Sequence, residues 1–401
     1  MTGVVVIGAG QAGASLVAKL RGEGYRGAVT LIGDEPVPPY QRPPLSKRYL
    51  LGEMALERLY LRPASYYAEA GIDLRLGCPV TAIDRTARKV VLGAAQLGYD
   101  TLVLATGSRP RRLPAAIGGD LGAVHVVRSL ADVDAMAPGF VPGARVLIVG
   151  GGYIGLEAAA VAAMRGMKVV LVEMAERILQ RVAARETSDY FRALHVRHGV
   201  EIREGLGLER LLGEGKVRGA RLSDGTEIGV DMVIVGVGIL PDTALAESAG
   251  LAIDNGIAVD GLGRSSDPAI WAAGDCASFP YRGGRLRLES VPNAIDMAEC
   301  VAGNIMGAGV PYLPKPWFWS DQYDVKLQIA GLGSGHDRIV TRDAGDSVSF
   351  WYYAGDRLLA VDAMNDPRAY MVGKRLIEAG MSADPAIVVD ARVDLKALLR
   401  S

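Results

Sequence analysis

Two copies of one glycine fingerprint, Gly8-Ala-Gly10-Gln-Ala-Gly13 and Gly150-Gly-Gly152-Tyr-Ile-Gly155, constrain this chain more than any other feature. Each begins where an apolar, β-branched run stops. A turn from a buried strand into a helix leaves backbone N–H groups uncovered at the helix N-terminus. A pyrophosphate binds there only if no bulky side chain stands in the turn. Two such turns imply two dinucleotides.

The surroundings of each fingerprint complete the unit that the glycines alone only suggest. Val4-Val-Val-Ile7 reads as a buried parallel strand, and Ala14 to Leu20 as the helix that follows. The second strand, Val29-Thr-Leu-Ile32, ends at Gly33-Asp34-Glu35. This puts a carboxylate about twenty residues past the glycines, where a ribose diol needs an acceptor. The second copy repeats the plan with strand Val146–Val149, helix Ile154 to Arg165, strand Val169–Val172 and the terminal Glu173.

A chain of 401 residues is too long for one core, and its length suggests roughly two or three domains. The net charge of −1 arises from nearly balanced acids and bases with no long basic run, which argues against a nucleic acid or an anionic membrane as partner. The N-terminus enters its first strand within a few residues and shows no charged n-region. The most apolar stretch, Ala158 to Val172, is interrupted by Arg165 and Lys168 and is too short for a membrane span. A cytoplasmic protein is expected.

Cys78, Cys276 and Cys300 are widely spaced and form neither a CxxC pair nor a zinc pattern, so no redox dithiol is expected; they read as small buried hydrophobes. His195 and His198 could share a helix face but have no acidic ligands beside them, and both read as surface residues. No metal site is expected.

Three later segments return to the strand-and-small-residue pattern: Tyr99 to Ala105-Thr106-Gly107, Met232 to Gly236-Val-Gly238, and Ala269 to Gly274-Asp275. From about Trp317 the character changes. Segments 326–330, 347–353 and 358–362 alternate like antiparallel strands, and a helix follows near residues 367–379.

In this order the motifs resemble the two-dinucleotide-binding flavoprotein reductases. More closely, Tyr40-Gln-Arg-Pro-Pro-Leu-Ser-Lys47, Glu289-Ser-Val-Pro-Asn-Ala294 and Pro316-Trp-Phe-Trp-Ser-Asp-Gln-Tyr323 resemble the NADH-dependent ferredoxin reductases of bacterial cytochrome P450 and Rieske oxygenase systems. The resemblance implies an α/β fold with two Rossmann-type domains, glutathione-reductase-like, the NAD domain inserted into the FAD domain, and a C-terminal α+β domain. The expected boundaries are 1–110 with 240–316 for FAD, 111–239 for NADH and 317–401 for the last domain.

Carried over by position, the resemblance implies that Gly8, Gly10, Ala12 and Gly13 cradle the FAD pyrophosphate, with Asp34 or Glu35 on the ribose. Arg42 would meet the phosphate or adenine end, Lys47 the isoalloxazine, and Asp275 a ribityl hydroxyl. Val80, Ala105, Thr106, Gly107 and Arg128 would line the cofactor, and the Val291 backbone would meet the flavin's pyrimidine edge.

For the nicotinamide nucleotide the corresponding residues are Gly150, Gly152, Tyr153, Ile154, Gly155, Glu157, Glu173 and Gly238. Tyr153 resembles an aromatic that shields the flavin, and Glu157 a carboxylate facing both nicotinamide and Lys47. Glu173 accepts from a free ribose 2′-hydroxyl and repels a 2′-phosphate, and the next residue is Met174, so NADH is expected over NADPH. Arg177 weakens that reading, because it could reach a phosphate.

Hydride transfer between stacked cofactors needs geometry and electrostatics rather than a side-chain nucleophile. Lys47, Glu157 and Trp319 are the expected catalytic side chains. With no dithiol, the electrons must leave the protein, and the resemblance makes the acceptor a [2Fe-2S] ferredoxin docking near Trp319, with Trp317 as a second candidate. Lys326, Arg338, Arg342, Arg368, Lys374 and Arg375 are the candidate docking bases. A diffusible small acceptor (a quinone, a monodehydroascorbate-type radical or oxygen) is the alternative, as is an apoptosis-inducing-factor-like redox sensor.

Overall fold

The computed structural model describes residues 3–399. In chain order the first principal elements are β1 (Val4–Ile7), α1 (Gln11–Gly22), β2 (Val29–Ile32), β3 (Ile72–Arg75), β4 (Thr101–Leu104) and β5 (Val124–Val126). Then come β6 (Arg145–Val149), α2 (Tyr153–Met164), β7 (Lys168–Glu173), α3 (Arg185–Arg197), β8 (Glu201–Glu204), β9 (Met232–Val235), β10 (Ile270–Ala272) and α4 (Val291–Ile305). The last are β11 (Trp317–Gln322), β12 (Val325–Gly331), β13 (Arg338–Asp343), β14 (Val348–Ala354), β15 (Arg357–Met364) and α5 (Pro367–Glu378). They form two compact units: Met1–Gln41 with Ala55–Arg109 and Ile239–Pro316, and Arg42–Met54 with Pro110–Gly238 and Trp317–Ser401.

The first unit is built on a parallel sheet in the order β10-β4-β1-β2-β3. Helices cover such a sheet on its faces, so its strands are apolar without alternation, as in the fully buried Val4–Ile7. The chain steps outward from β1 to β2 and β3 and then returns on the other side of β1 as β4. The reversal opens a crevice at the C-terminal ends of β1 and β4. Leu16, Val17 and Leu20 of α1 join Met297, Ala298 and Val301 of α4 in the core.

The second unit repeats the plan in the order β8-β7-β6-β9-β5, with the reversal between β6 and β9. Its helix α2 has no polar face: Leu156 to Ala162 are all buried. The reason is β11, which packs against α2. That strand is the edge of an antiparallel sheet ordered β11-β12-β15-β14-β13, with α5 packed on β12 and β15 over a core that includes Trp351, Tyr353 and Leu376.

Three of these five strands and α5 match the alternating segments expected from sequence. β11 and β13 were not anticipated. β11 is rich in aromatics on both faces, and β13 is an edge strand with charged ends, so neither shows the period-two pattern cleanly.

Three sequence expectations are corrected. His195 is fully buried rather than on the surface, because β11 supplies a polar partner at Gln322, while His198 is exposed as expected. Arg342 is buried too, donating to the carbonyls of Val388, Asp390, Ala391 and Val393. It therefore pins the C-terminal segment and is unavailable for docking. Of the three cysteines, all free, only Cys276 is buried; Cys78 and Cys300 are half-buried.

Candidate active site

Both glycine turns have the same backbone geometry. Gly8 and Gly150 adopt φ of 111° and 103°, in the region that L side chains avoid. A Cβ on Gly13 would stand 2.0 Å from the Gly8 carbonyl oxygen, and one on Gly155 2.1 Å from that of Gly150. The third glycine thus lets the helix close onto the turn. Gly10 and Gly152 are the N-caps of α1 and α2, neither helix has a side-chain cap, and a Cβ on either residue would meet nothing within 4 Å. Uncapped helix N–H groups facing open space fit a pyrophosphate at both turns.

In the first unit the turn abuts β4. Gly8 approaches the Ala105 carbonyl so closely that a Cβ would sit 2.1 Å from its oxygen. Thr106 donates its hydroxyl to the Asp242 carbonyl (2.6 Å), and Gly107 adopts φ of 71°. Asp275 follows the Gly274 turn at the end of β10 and accepts from the Ser108 hydroxyl at 2.9 Å. Asp34 and Glu35 both follow β2, where Asp34 accepts from the Glu35 amide and Glu35 accepts from the Tyr40 hydroxyl. Val80 packs against the core, and Val291 is the first residue of α4, ahead of the intrahelical hydrogen bonds. Arg42, Lys47 and Arg128 belong to the second unit; Arg42 donates to the Arg128 carbonyl at 2.8 Å.

In the second unit Glu173 ends β7 with both oxygens engaged: Oε2 accepts from Gly151 N–H at 2.7 Å, and Oε1 from Ala175 N–H at 2.8 Å. The carboxylate is therefore clamped to its own glycine turn, with further lone pairs remaining for a ligand hydroxyl. Met174 beside it is 81% exposed, and Ile154 at the start of α2 is 41% exposed. Both offer apolar surface at the turn. Arg177 is committed elsewhere, to the Ser188 hydroxyl and the carbonyls of Ala183 and Ala184. Gly238 adopts φ of 98° and accepts from Arg111 N–H.

The only charge on the all-apolar α2 is Glu157, 5% exposed. Its Oε1 lies 2.9 Å from Lys47 Nζ and accepts from the Ser320 hydroxyl at 2.6 Å, while Oε2 accepts from the Ser46 hydroxyl at 2.7 Å. A buried carboxylate without such donors would be expelled or neutralised. The short helical turn Pro43–Ser46 delivers Ser46 and Lys47 to it. Ser46 and Ser320 lie inside the segments singled out from sequence but were given no role. Nothing local marks Ser320, since the strand that carries it was not anticipated and its partner lies 163 residues away.

The pleat of β11 divides its residues. Phe318, Ser320 and Gln322 meet Tyr153, Glu157 and His195, the two rings of the first pair being 4.8 Å apart. Trp317 and Trp319, 5.5 Å apart, alternate with them, and Lys374 stands over the Trp317 ring. The Tyr153 hydroxyl is buried without a hydrogen-bond partner, and burial raises its pKa well above the usual value. Of the expected docking bases, Lys326, Arg338, Arg368 and Arg375 are exposed.

Residues 2–298 match the family model described as pyridine nucleotide-disulphide oxidoreductase, and residues 317–399 match that described as reductase C-terminal. Rhodocoxin reductase of Rhodococcus erythropolis is 41% identical over 399 residues, covering 98% of this chain and 93% of that protein. The ferredoxin–NAD(+) reductase component of the p-cumate 2,3-dioxygenase system of Pseudomonas putida is 38% identical, covering 98% and 97%. The crystal structure of the covalent putidaredoxin reductase–putidaredoxin complex superposes with a TM-score of 0.96 at 40% identity, covering 100% of this chain and 98% of the other. No described helix is long and apolar enough to cross a membrane. This chain belongs to the pyridine nucleotide-disulphide oxidoreductase family and carries the reductase C-terminal domain.

Proposed function

We propose that this protein is an FAD-dependent NADH:ferredoxin reductase, passing electrons from NADH through FAD to a [2Fe-2S] ferredoxin of a cytochrome P450 or Rieske-type oxygenase system. FAD and NADH, when bound, supply hydride acceptance and donation and the release of electrons one at a time. The names of the relatives support this acceptor class, and the three free cysteines offer no paired thiols to take two electrons. A cytoplasmic location fits the use of NADH.

In this reading Gly8, Gly10, Ala12, Gly13, Asp34 or Glu35, Val80, Ala105, Thr106, Gly107, Asp275 and Val291 hold FAD, with Arg42, Lys47 and Arg128 as further contacts. Gly150, Gly152, Tyr153, Ile154, Gly155, Glu173 and Gly238 hold the nicotinamide nucleotide. Glu157 and Lys47 orient the nicotinamide, and their opposite charges offset each other in a site with little water. Glu173 selects NADH, since a 2′-phosphate would meet a carboxylate already clamped in place. Trp319 lies on the face of β11 opposite Glu157 and would meet the ferredoxin.

The single observation that carries the reading is the buried Lys47–Glu157 pair on the helix of the second glycine turn. Stopped-flow mixing of the holoenzyme with NADH or NADPH, then with a [2Fe-2S] ferredoxin or a quinone, tests it. Fast bleaching by NADH followed by ferredoxin reduction is expected. Turnover that prefers the quinone would favour a small acceptor, and slow reoxidation by both a sensor.

A further inference from the structure

Glu157 ends a chain of hydrogen bonds that runs through the second unit. Ser320 Oγ lies 2.6 Å from Glu157 Oε1, and Gln322 Nε2 lies 3.2 Å from Ser320 Oγ. Gln322 Oε1 lies 2.8 Å from His195 Nε2, and the Tyr323 hydroxyl 3.2 Å from His195 Nδ1. Ser320, Gln322 and His195 are all 0% exposed, so water does not compete for the middle links. Tyr323, at φ of 55°, is held in a conformation unfavourable for a bulky residue and stacks on His198 at 3.7 Å.

The direction of this chain follows from the donors each group has. An ionised carboxylate beside Lys47 only accepts, so the single Ser320 hydrogen must point at it. The Ser320 oxygen then accepts from the Gln322 amide N–H. That leaves the Gln322 carbonyl facing His195, which must donate from Nε2. Nδ1 is left as the acceptor for Tyr323. The reverse order would press a Ser320 lone pair against the carboxylate at 2.6 Å. Burial keeps the ring neutral, with its pKa down at about 4, so each nitrogen has one role at neutral pH.

We propose that Gln322 and His195 are positioning residues for the nicotinamide chemistry: they hold the Ser320 hydroxyl as a donor to Glu157, and the charge on Glu157 in turn sets the tautomer of His195. This rests on the reading that Glu157 faces the nicotinamide. A carboxylate held by three side-chain donors keeps one rotamer. Without Gln322 the Ser320 oxygen loses the N–H that seats it, and the hydroxyl it donates to Glu157 is held less firmly in place.

The tautomer is read from ¹⁵N-histidine NMR of the holoenzyme, with His195 assigned by loss of its signal in His195→Gln. The wild type shows the Nε2–H form. In Glu157→Gln, whose amide can donate to Ser320, the Nδ1–H form gains population. An Nδ1–H wild type, or an unchanged tautomer in Glu157→Gln, overturns the proposal.

The second readout is flavin reduction at saturating NADH alongside the dissociation constant for NADH. Ser320→Ala and Gln322→Met each slow reduction about tenfold, the scale of one hydrogen bond to a charged group, with a smaller change in NADH affinity. The double variant is no slower than Ser320→Ala, and Ser320→Thr restores the rate. Additive losses, or a wild-type rate in Ser320→Ala, count against the chain. A wild-type flavin that NADH does not reduce would sink the proposed reaction instead, while the tautomer still judges the chain by itself.

Discussion

Among the described residues, the buried polar side chains of the first unit are Thr30, Ser108, Thr243, Ser278, Asn293 and Asn304, all uncharged, whereas the second unit also buries Glu157, His195, Arg342 and Asp362. Yet the two units share one sheet plan and one glycine turn. Burying an ionisable group is costly unless hydrogen-bonding partners surround it, and the second unit provides them for each of these groups. Thr187 and Tyr352 donate to Asp362, for example, and four backbone carbonyls accept from Arg342. The difference also shows on the helices. Two residues after the third glycine, α1 carries Ser15, which accepts from Gln11, and α2 carries the buried Glu157. The shared turn fits a dinucleotide in each unit, and among the described residues the buried carboxyl, guanidinium and imidazole groups lie in the second unit.

The largest expected effect tests what the units share. Gly13→Ala and Gly155→Ala each drive a Cβ into a backbone carbonyl, and both variants are expected to lose folded holoprotein, seen as absent flavin absorbance after purification. Gly10→Ala, with open space around it, keeps its melting temperature and loses flavin affinity. Equal tolerance at Gly10 and Gly13 would refute the shared-turn account.

Next comes acid stability, which the buried charges locate in the second unit. The unfolded chain protonates His195 near 6.5 and the folded one near 4, so acidification through that window costs stability, about 3 kcal/mol in all. For Asp362 burial lifts the pKa from 3.8 to about 6, so the folded state takes the proton first, and acidification from about 6 to about 3.8 adds a similar amount. The two nearly cancel in the wild type. In Asp362→Asn the melting temperature is expected to fall steeply between pH 6.5 and 4, and in His195→Gln to rise. Parallel profiles in all three proteins would break this assignment.

Glu157→Gln is expected to slow flavin reduction by NADH about 100-fold through loss of the ion pair, whereas Ser15→Ala in the matching place on α1 leaves it unchanged. A comparable loss in Ser15→Ala would erase the contrast between the helices. The smallest effect concerns the acids that end the second strands. Glu173→Ala is expected to lower the NADH over NADPH preference in kcat/KM about tenfold, and an unchanged ratio would remove Glu173 from cofactor selection.

Much of this was legible in residue order. Both glycine turns and their flanking strands lie where the apolar runs and spacing put them, because a strand buried on both faces and a helix that must approach closely leave local marks. Lys47, Glu157 and Trp319 were singled out by resemblance alone, and the structure joins the first two in one ion pair. The resemblance paired Glu157 with Lys47, but its two hydroxyl partners were not legible. Ser46 and Ser320 lie 111 and 163 residues from it in sequence, and no local pattern encodes a contact over such spans. His195 looked like a surface histidine because nothing near it in sequence predicts that β11 will cover it, and Arg342 looked like a docking base because its carbonyl partners lie 46 to 51 residues further on.

By itself, then, the sequence determined the two glycine turns and the strands and helices that flank them, since each depends on residues close together. Only the tertiary structure decided which charges are buried and what neutralises them. Desolvation depends on what packs over a side chain, and for Glu157 and His195 that cover is a strand more than a hundred residues downstream.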